Sequence, residues 1–422
     1  MFKLVRFELK KIYKTRTFLF MVLSFFALIL MYYTINYFQA NQLYNEQILT
    51  NQNTIHNLEE RIDDIKLLLE LPDIVPAEKR SLNDALQLLE STIEQSKQRL
   101  EGLRNKDWDL VISSYIEEQK NIVQEQSSFG FESKDSSLLN RSLFTLESNL
   151  EKNKWLKEKG ITPIFPLDYS ITVYDQFDTN EEQQALSMAE SFSADALFFQ
   201  YKLTDLVFTS LGVLFFVLLF GDIVTKERLN NSGPINLLRT QPIKKNHILI
   251  SKFIAIIIMS VLIIITVSLI SVVIGTLFSR FGDGNYPILK YGQNETFSFL
   301  SLDLFLIQSF ILFLFVILFV FSIHLFISTA VKQTVISVGV TMMIIFLGAA
   351  LSSENYLSAI TPYMPFSYLS VNEVITNERA VLIGNFSINF LTGIIVLSIT
   401  TGLIWMIHYL VSKSYVVKKE IT

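Results

Sequence analysis

Ionisable side chains are almost missing from the apolar stretches of this sequence, and the residues that look functional fall in two places. The first is a run that opens with Glu227-Arg228, passes through Ser232-Gly233-Pro234 and closes on Leu237-Leu238, Thr240 and Pro242. Ser232 suits an N-cap and Pro234 the first helical turn. The run therefore predicts a short rigid helix, with Ile235 and Leu238 on one side, stopped by Pro242. Its chemistry would be recognition: a lever for another protein, or, read more plainly, a loop that places two helices. The second place is a set of apolar stretches holding His324, Asn385 and Asn389, with Asn36 and His408 as further polar sites. Polar and ionisable groups inside a membrane usually mark a pathway, so His324, Asn385 and Asn389 are candidate pathway residues. For His324 the competing reading is an interhelical hydrogen bond.

Catalytic signatures are missing. There is no Gly-x-x-x-x-Gly-Lys-Ser/Thr phosphate cradle, no His-Glu-x-x-His and no Gly-x-Ser-x-Gly elbow. With no cysteine, disulfides, thiolate metal sites and Cys nucleophiles are excluded. The sequence thus offers no catalytic, cofactor or metal residue, and reads as something other than an enzyme. Any ATP it uses would be bound by a separate polypeptide.

The elements that must position these residues are six charge-depleted stretches, at 18–38, 206–221, 253–279, 304–331, 333–353 and 380–412. A helix needs roughly 20 residues to cross about 30 Å of hydrocarbon, and the second stretch reaches that by extending back to 201. Unpaired backbone amides are too costly in lipid for these to be anything but helices. The fold class is an α-helical polytopic membrane protein with six transmembrane helices, the second at 201–221. The first stretch is uncharged well past the core of a signal peptide and no small-x-small site follows it, so it reads as a retained span.

Orientation follows the basic residues. With the N-terminus inside, segments 1–17, 222–252, Lys332 and 413–422 hold 16 Lys/Arg against 4 Asp/Glu, and the outside segments hold 19 against 36. Both termini are expected to be cytoplasmic and residues 39–200 extracellular, in a bacterial cytoplasmic membrane. Within 39–200, Ile48, Ile55, Ile62 and Leu69 recur every seven residues, and Leu82, Leu86, Leu89, Ile93, Leu100 and Leu103 form a second seam. That repeat predicts an antiparallel coiled-coil hairpin over 44–104. Residues 105–200 predict a small α or α+β cap with a short strand at 170–174. Its carboxylates read as a solvated acidic face, not a calcium or zinc site. The uncharged stretch 355–372, broken by Pro362 and Pro365, predicts a re-entrant or interfacial element within 354–379.

At the start of the chain, Phe2, Val5, Leu9, Ile12 and Tyr13 fall on one helical face and Lys3, Arg6, Lys10 and Lys14 on the other. Over 1–17 this predicts an amphipathic helix on the lipid interface. Taken with Glu227-Arg228, Gly233, Leu237-Leu238, Thr240, Pro242, Lys252 and the Pro-containing stretch before span six, the sequence resembles the ABC-2-type permeases, the membrane subunits of ATP-binding-cassette exporters. The likeness covers roughly 1–40 and 200–422. It implies that the helix after span two is a coupling helix docking on a cytoplasmic P-loop ATPase. By resemblance that role falls on Glu227, Arg228, Gly233, Leu237, Leu238 and Thr240, within the helix begun by Ser232 and Pro234. The implied partners are that ATPase, which holds the ATP, a second copy or a related permease, and membrane lipids, with no nucleic acid. Uncharged spans suit a hydrophobic or amphipathic cargo, peptide or lipid. The alternative is a non-transporting receptor or scaffold whose coiled coil binds a partner.

Overall fold

The computed structural model describes residues 1–71, 75–129, 141–167, 170–175, 186, 189–225, 245–331 and 333–421. It divides the chain into two compact units, Met1–Tyr33 with Asp195–Gly282 and Ile288–Thr422, and Thr34–Ala194 with Asp283–Pro287.

The first unit holds the apolar helices. After α1 (Phe2–Tyr13) comes α2 (Arg16–Leu69), which belongs to this unit through Tyr33. It is followed by α6 (Ala196–Val207), α7 (Ser210–Phe220), α8 (Asp222–Thr225) and α9 (Lys245–Phe278). A two-stranded sheet, β1 (Pro287–Tyr291) and β2 (Phe297–Ser301), leads to α10 (Leu302–Ala330) and α11 (Thr334–Leu351). Short 3-10 turns and the helices α12 (Val371–Ile375) and α13 (Glu378–Ile383) precede α14 (Phe390–Ile421).

Among the described residues, five helices are long and apolar enough to cross a membrane, and a sixth crossing is α6 with α7 if that pair is one span. The pair is bent by 72° at Phe208-Thr209, so the stretch expected as one straight span is broken. α10 is apolar on every side, the signature of a helix buried all round. Phe305, Leu312, Phe313, Val316, Val320 and Phe321 are accordingly buried. Gly275 on α9 lets α6 approach; a Cβ there would lie 2.5 Å from the Cα of Ala196. Asp195, just before α6, closes the same corner by pairing with Arg280 at 2.6 Å and accepting from Ser279.

Two differences from the sequence reading stand out in this unit. The last long helix begins at Phe390 and not at 380, because Gly384 turns left-handed (φ 71°) and ends α13. The segment 280–303, for which no element was expected, carries the β1–β2 hairpin, in which Asn294 and Glu295 take positive φ at the turn.

The second unit contains the rest of α2, then α3 (Pro76–Asn105), α4 (Trp108–Phe129) and α5 (Leu143–Glu158). Pro76 opens α3, and Lys106 in the left-handed region ends it. Ile55, Ile62, Ile93 and Leu103 are buried, and Lys97 pairs with Glu59 at 2.9 Å. The α4–α5 core is polar as well as apolar. The Leu167 carbonyl accepts from Gln119 Nε2 (3.1 Å), Asn149 Nδ2 (2.9 Å) and Asn153 Nδ2 (3.3 Å), all buried. No strand forms at 170–174. There the Asp175 carboxylate accepts from the amide of Thr172 and from that of Ser142, the residue that caps α5.

Buried amides that lose a partner cost about 1–3 kcal/mol. Asn153→Leu is therefore expected to lower the unfolding free energy by about that much. Chemical denaturation of the full chain, followed by tryptophan fluorescence, measures it.

Candidate functional site

The residues of the expected coupling helix, Glu227, Arg228, Ser232, Gly233, Pro234, Leu237, Leu238 and Thr240, lie outside the described residues. Their flanks are described, and both are held by one side chain. Lys252, in the first turns of α9, is buried and donates from Nζ to the carbonyl of Ile223 at 3.0 Å. Its charge faces Glu8 of α1, with Nζ 3.8 Å from Oε1. Glu8 is 1 % exposed, and its other oxygen lies 3.7 Å from Lys11 Nζ. Burial, then the charge of Lys252, holds the Lys11 amine below its usual range, with Glu8 and Asp222 pulling the other way.

This changes the picture of α1. Val5, Glu8 and Ile12 form its buried stripe, while Phe2, Phe7 and Tyr13 are exposed. Phe2 and Tyr13 thus leave the face expected to contain Val5 and Ile12, because that face is taken up by protein. Glu8 was not singled out by sequence reasoning. Its signal was there: it is the lone acid in residues 1–17 and shares the helical stripe of Val5 and Ile12.

Ile223 is one of three carbonyls along α6–α8 that are met by distant groups. At the bend, Phe208 O accepts from the amide of Val371 at 3.2 Å. At the end of α7, Gly221 O lies 3.3 Å from Nε2 of His324. His324 is fully buried, with Nδ1 3.0 Å from the Thr341 hydroxyl and Nε2 3.2 Å from that of Ser328. Ser328 and Thr341 both continue to Ser337. The imidazole therefore joins α7, α10 and α11 through hydrogen bonds, the competing reading of this residue. Gly221 makes the approach possible: a Cβ would lie 2.3 Å from Val338 Cγ2.

Asn385 and Asn389 sit in the turn between α13 and α14. Asn385 donates to Ser358 O at 2.8 Å, and Asn389 Oδ1 accepts from the Thr392 amide at 3.1 Å, in the first turn of α14. The structure does not bring them together with His324. A narrow cavity lies instead at the bend, among Phe25, Gln200, Thr204, Phe208, Phe216 and Ser268. Its volume of about 10 Å³ is room for a single water.

A cluster of charges on α12 and α13 adjoins the α6 helix. Asn372 donates to Asp205 at 3.1 Å, and Arg379 pairs with Glu373 at 3.5 Å while reaching Ser353 at 2.8 Å. Burial, then the charges of Glu373 and Asp205, pushes the Glu378 carboxyl up to about 7. Among the described residues, no group of His, Asp and Glu side chains is arranged to hold a metal ion.

Long apolar helices able to cross a membrane define a multi-pass membrane protein. The family model for ABC-2 family transporter proteins matches residues 153–413, so the chain belongs to that family and is a transport permease. That family pairs in general with an ABC ATPase subunit. Comparison with curated proteins and with solved structures gave no match.

The Glu378 geometry yields a pH dependence. Its folded pKa lies above the unfolded one, so the folded state keeps a proton that the unfolded chain releases. The stability this proton gives is full below pH 4.5 and is lost as pH rises to about 7. Between pH 5 and pH 8 the melting temperature should fall less in Glu378→Gln than in the parent. Equal slopes in the two proteins would refute this environment for Glu378.

Proposed function

We propose that this chain is the permease subunit of an ATP-driven exporter in a bacterial cytoplasmic membrane. Its termini and residues 222–252 lie in the cytoplasm, and residues 39–200 lie outside. A separate P-loop ATPase bears on the helix that starts at Ser232, through Glu227, Arg228, Gly233, Leu237, Leu238 and Thr240. The observation that carries this reading is the family match, which spans that run and the spans on either side of it. The buried Lys252 supports it, since a segment meant to take load needs both flanks anchored. Basic residues concentrated in the segments assigned inside support the orientation.

Two copies, or one copy and a related permease, form the working pathway, since six spans are too few to enclose one alone. The cargo is hydrophobic or amphipathic, a peptide or a lipid, as uncharged spans offer little to an ion or a sugar. His324, Asn385 and Asn389 remain the polar residues nearest such a route. Residues 44–104 stand as a coiled-coil hairpin that gates the exit, scans for cargo or contacts the wall, and α1 rests its exposed Phe2, Phe7 and Tyr13 in the lipid interface.

The test is purification of the tagged chain in mild detergent. A P-loop ATPase should co-elute in equal amount, and Leu238→Asp or Gly233→Asp should remove it while membrane insertion stays intact. An extracellular partner bound through residues 46–104, with no ATPase, would instead make the chain a receptor or scaffold.

A further inference from the structure

We infer that Glu8 and Lys252 are a positioning pair that fixes α1 to Ile223 and to the start of α9, the two described flanks of residues 226–244. The inference rests on the reading that those residues receive an ATPase. Ile223 lies just upstream of the segment and Lys252 just downstream, on the first turns of α9. One ammonium therefore ties both ends, by its 3.0 Å hydrogen bond to the Ile223 carbonyl and its own place on α9. It has been taken out of water to do so, for both Lys252 and Glu8 have side chains only 2 % exposed. A buried charge needs its counter-charge nearby, and Glu8 brings that charge from α1.

Such a pair contributes little net stability, because desolvation offsets most of the attraction. What it does supply is geometry. α1 ends at Tyr13 and α2 begins at Arg16, and between them the Thr15 hydroxyl donates to Lys11 O at 3.0 Å. A shift of Ile223 or of the start of α9 therefore passes to α1 and on into the first span. Spans one and three act as one body, with Lys252 as the joint. Lys252 is a positioning residue, and Glu8 holds it in place.

The experiment uses the complex of the full chain with its ATPase in lipid nanodiscs. The sequence has no cysteine, so Lys3→Cys and His247→Cys, both exposed positions, accept spin labels without background. With the pair intact, one narrow label distance is expected, unchanged between the nucleotide-free and the ATP-plus-vanadate states. Glu8→Leu/Lys252→Met removes both charges together, so that neither is left uncompensated. This variant should insert and co-elute with the ATPase. Its label distance should broaden, and ATP hydrolysis by the complex should drop about tenfold or more, as a misplaced lever costs rate at a distance. Lys252→Arg, which keeps donors for both partners, should restore both readouts. Should the double variant fail to accumulate, Glu8→Gln, with the shape kept and the charge gone, should broaden the distance in the same way. A native distance and rate in either variant overturns the positioning role, as does a distance that shifts with nucleotide when the pair is intact. If no ATPase accompanies the parent chain, the transport reading fails by itself. The label comparison in the chain alone then decides whether the pair holds α1.

Discussion

The constraint on which this structure depends is that a main-chain carbonyl or amide in apolar surroundings must find a partner within the protein. Long helices satisfy it by themselves, which is why α2, α9, α10, α11 and α14 need no help along their apolar lengths. The α6–α8 path does need help, because it breaks at Phe208-Thr209 and again at Gly221. Each break leaves carbonyls without helical donors. The Val371 amide and the His324 ring meet them from two different parts of the chain, and the Lys252 ammonium meets the carbonyl of Ile223. The bend is therefore a built feature, pinned at the bend itself and at the end of α7.

The same constraint explains why the few charges inside the first unit are where they are. Lys252 could satisfy Ile223 only by giving up water, and a lone buried ammonium is not tolerated. Glu8 answers it, and α1 is thereby bound to protein along Val5, Glu8 and Ile12. An amphipathic helix that merely floated on lipid would have no use for a buried acid. Arg379 plays a comparable part elsewhere, bridging Glu373 on α12 to the end of α11 at Ser353. Glu378, with no such cation of its own, is left with an elevated pKa.

The second unit solves a different problem. It has no disulfide available, and its packing is reinforced by side-chain amides and carboxylates aimed at loop backbone. Gln119, Asn149 and Asn153 converge on one carbonyl, and Asp175 collects the amides of Ser142 and Thr172 with the hydroxyls of Ser142 and Thr145. None of this follows a sequence period. Asn149 and Asn153 are one helical turn apart, but their target, Leu167, lies beyond the end of the helix. The β1–β2 hairpin was more legible than it was taken to be. Phe297 and Phe299 alternate with serine after the turn-forming Gly-Gln-Asn-Glu, but two five-residue strands give too short a pattern to outweigh a loop.

Sequence by itself determined that this is a helical multi-pass membrane protein and the family to which it belongs. Hydrocarbon imposes length and the absence of charge on each span, and both are local properties that a linear string records. The start of α14 was not read from the sequence, although Gly384, a residue suited to the left-handed turn that ends α13, stands inside the stretch taken as one span. Only the tertiary structure decided where span two bends: Gly212 marks the place, since a Cβ there would lie 1.7 Å from the Val207 carbonyl oxygen, but the donor that makes the break tolerable lies far away at Val371. It also decided that Glu8 and Lys252 meet. Glu8 is marked as the lone acid of residues 1–17 on the stripe of Val5 and Ile12, but no sequence feature names its partner, because what makes the pair is the loss of water, and burial is a property of the packed molecule.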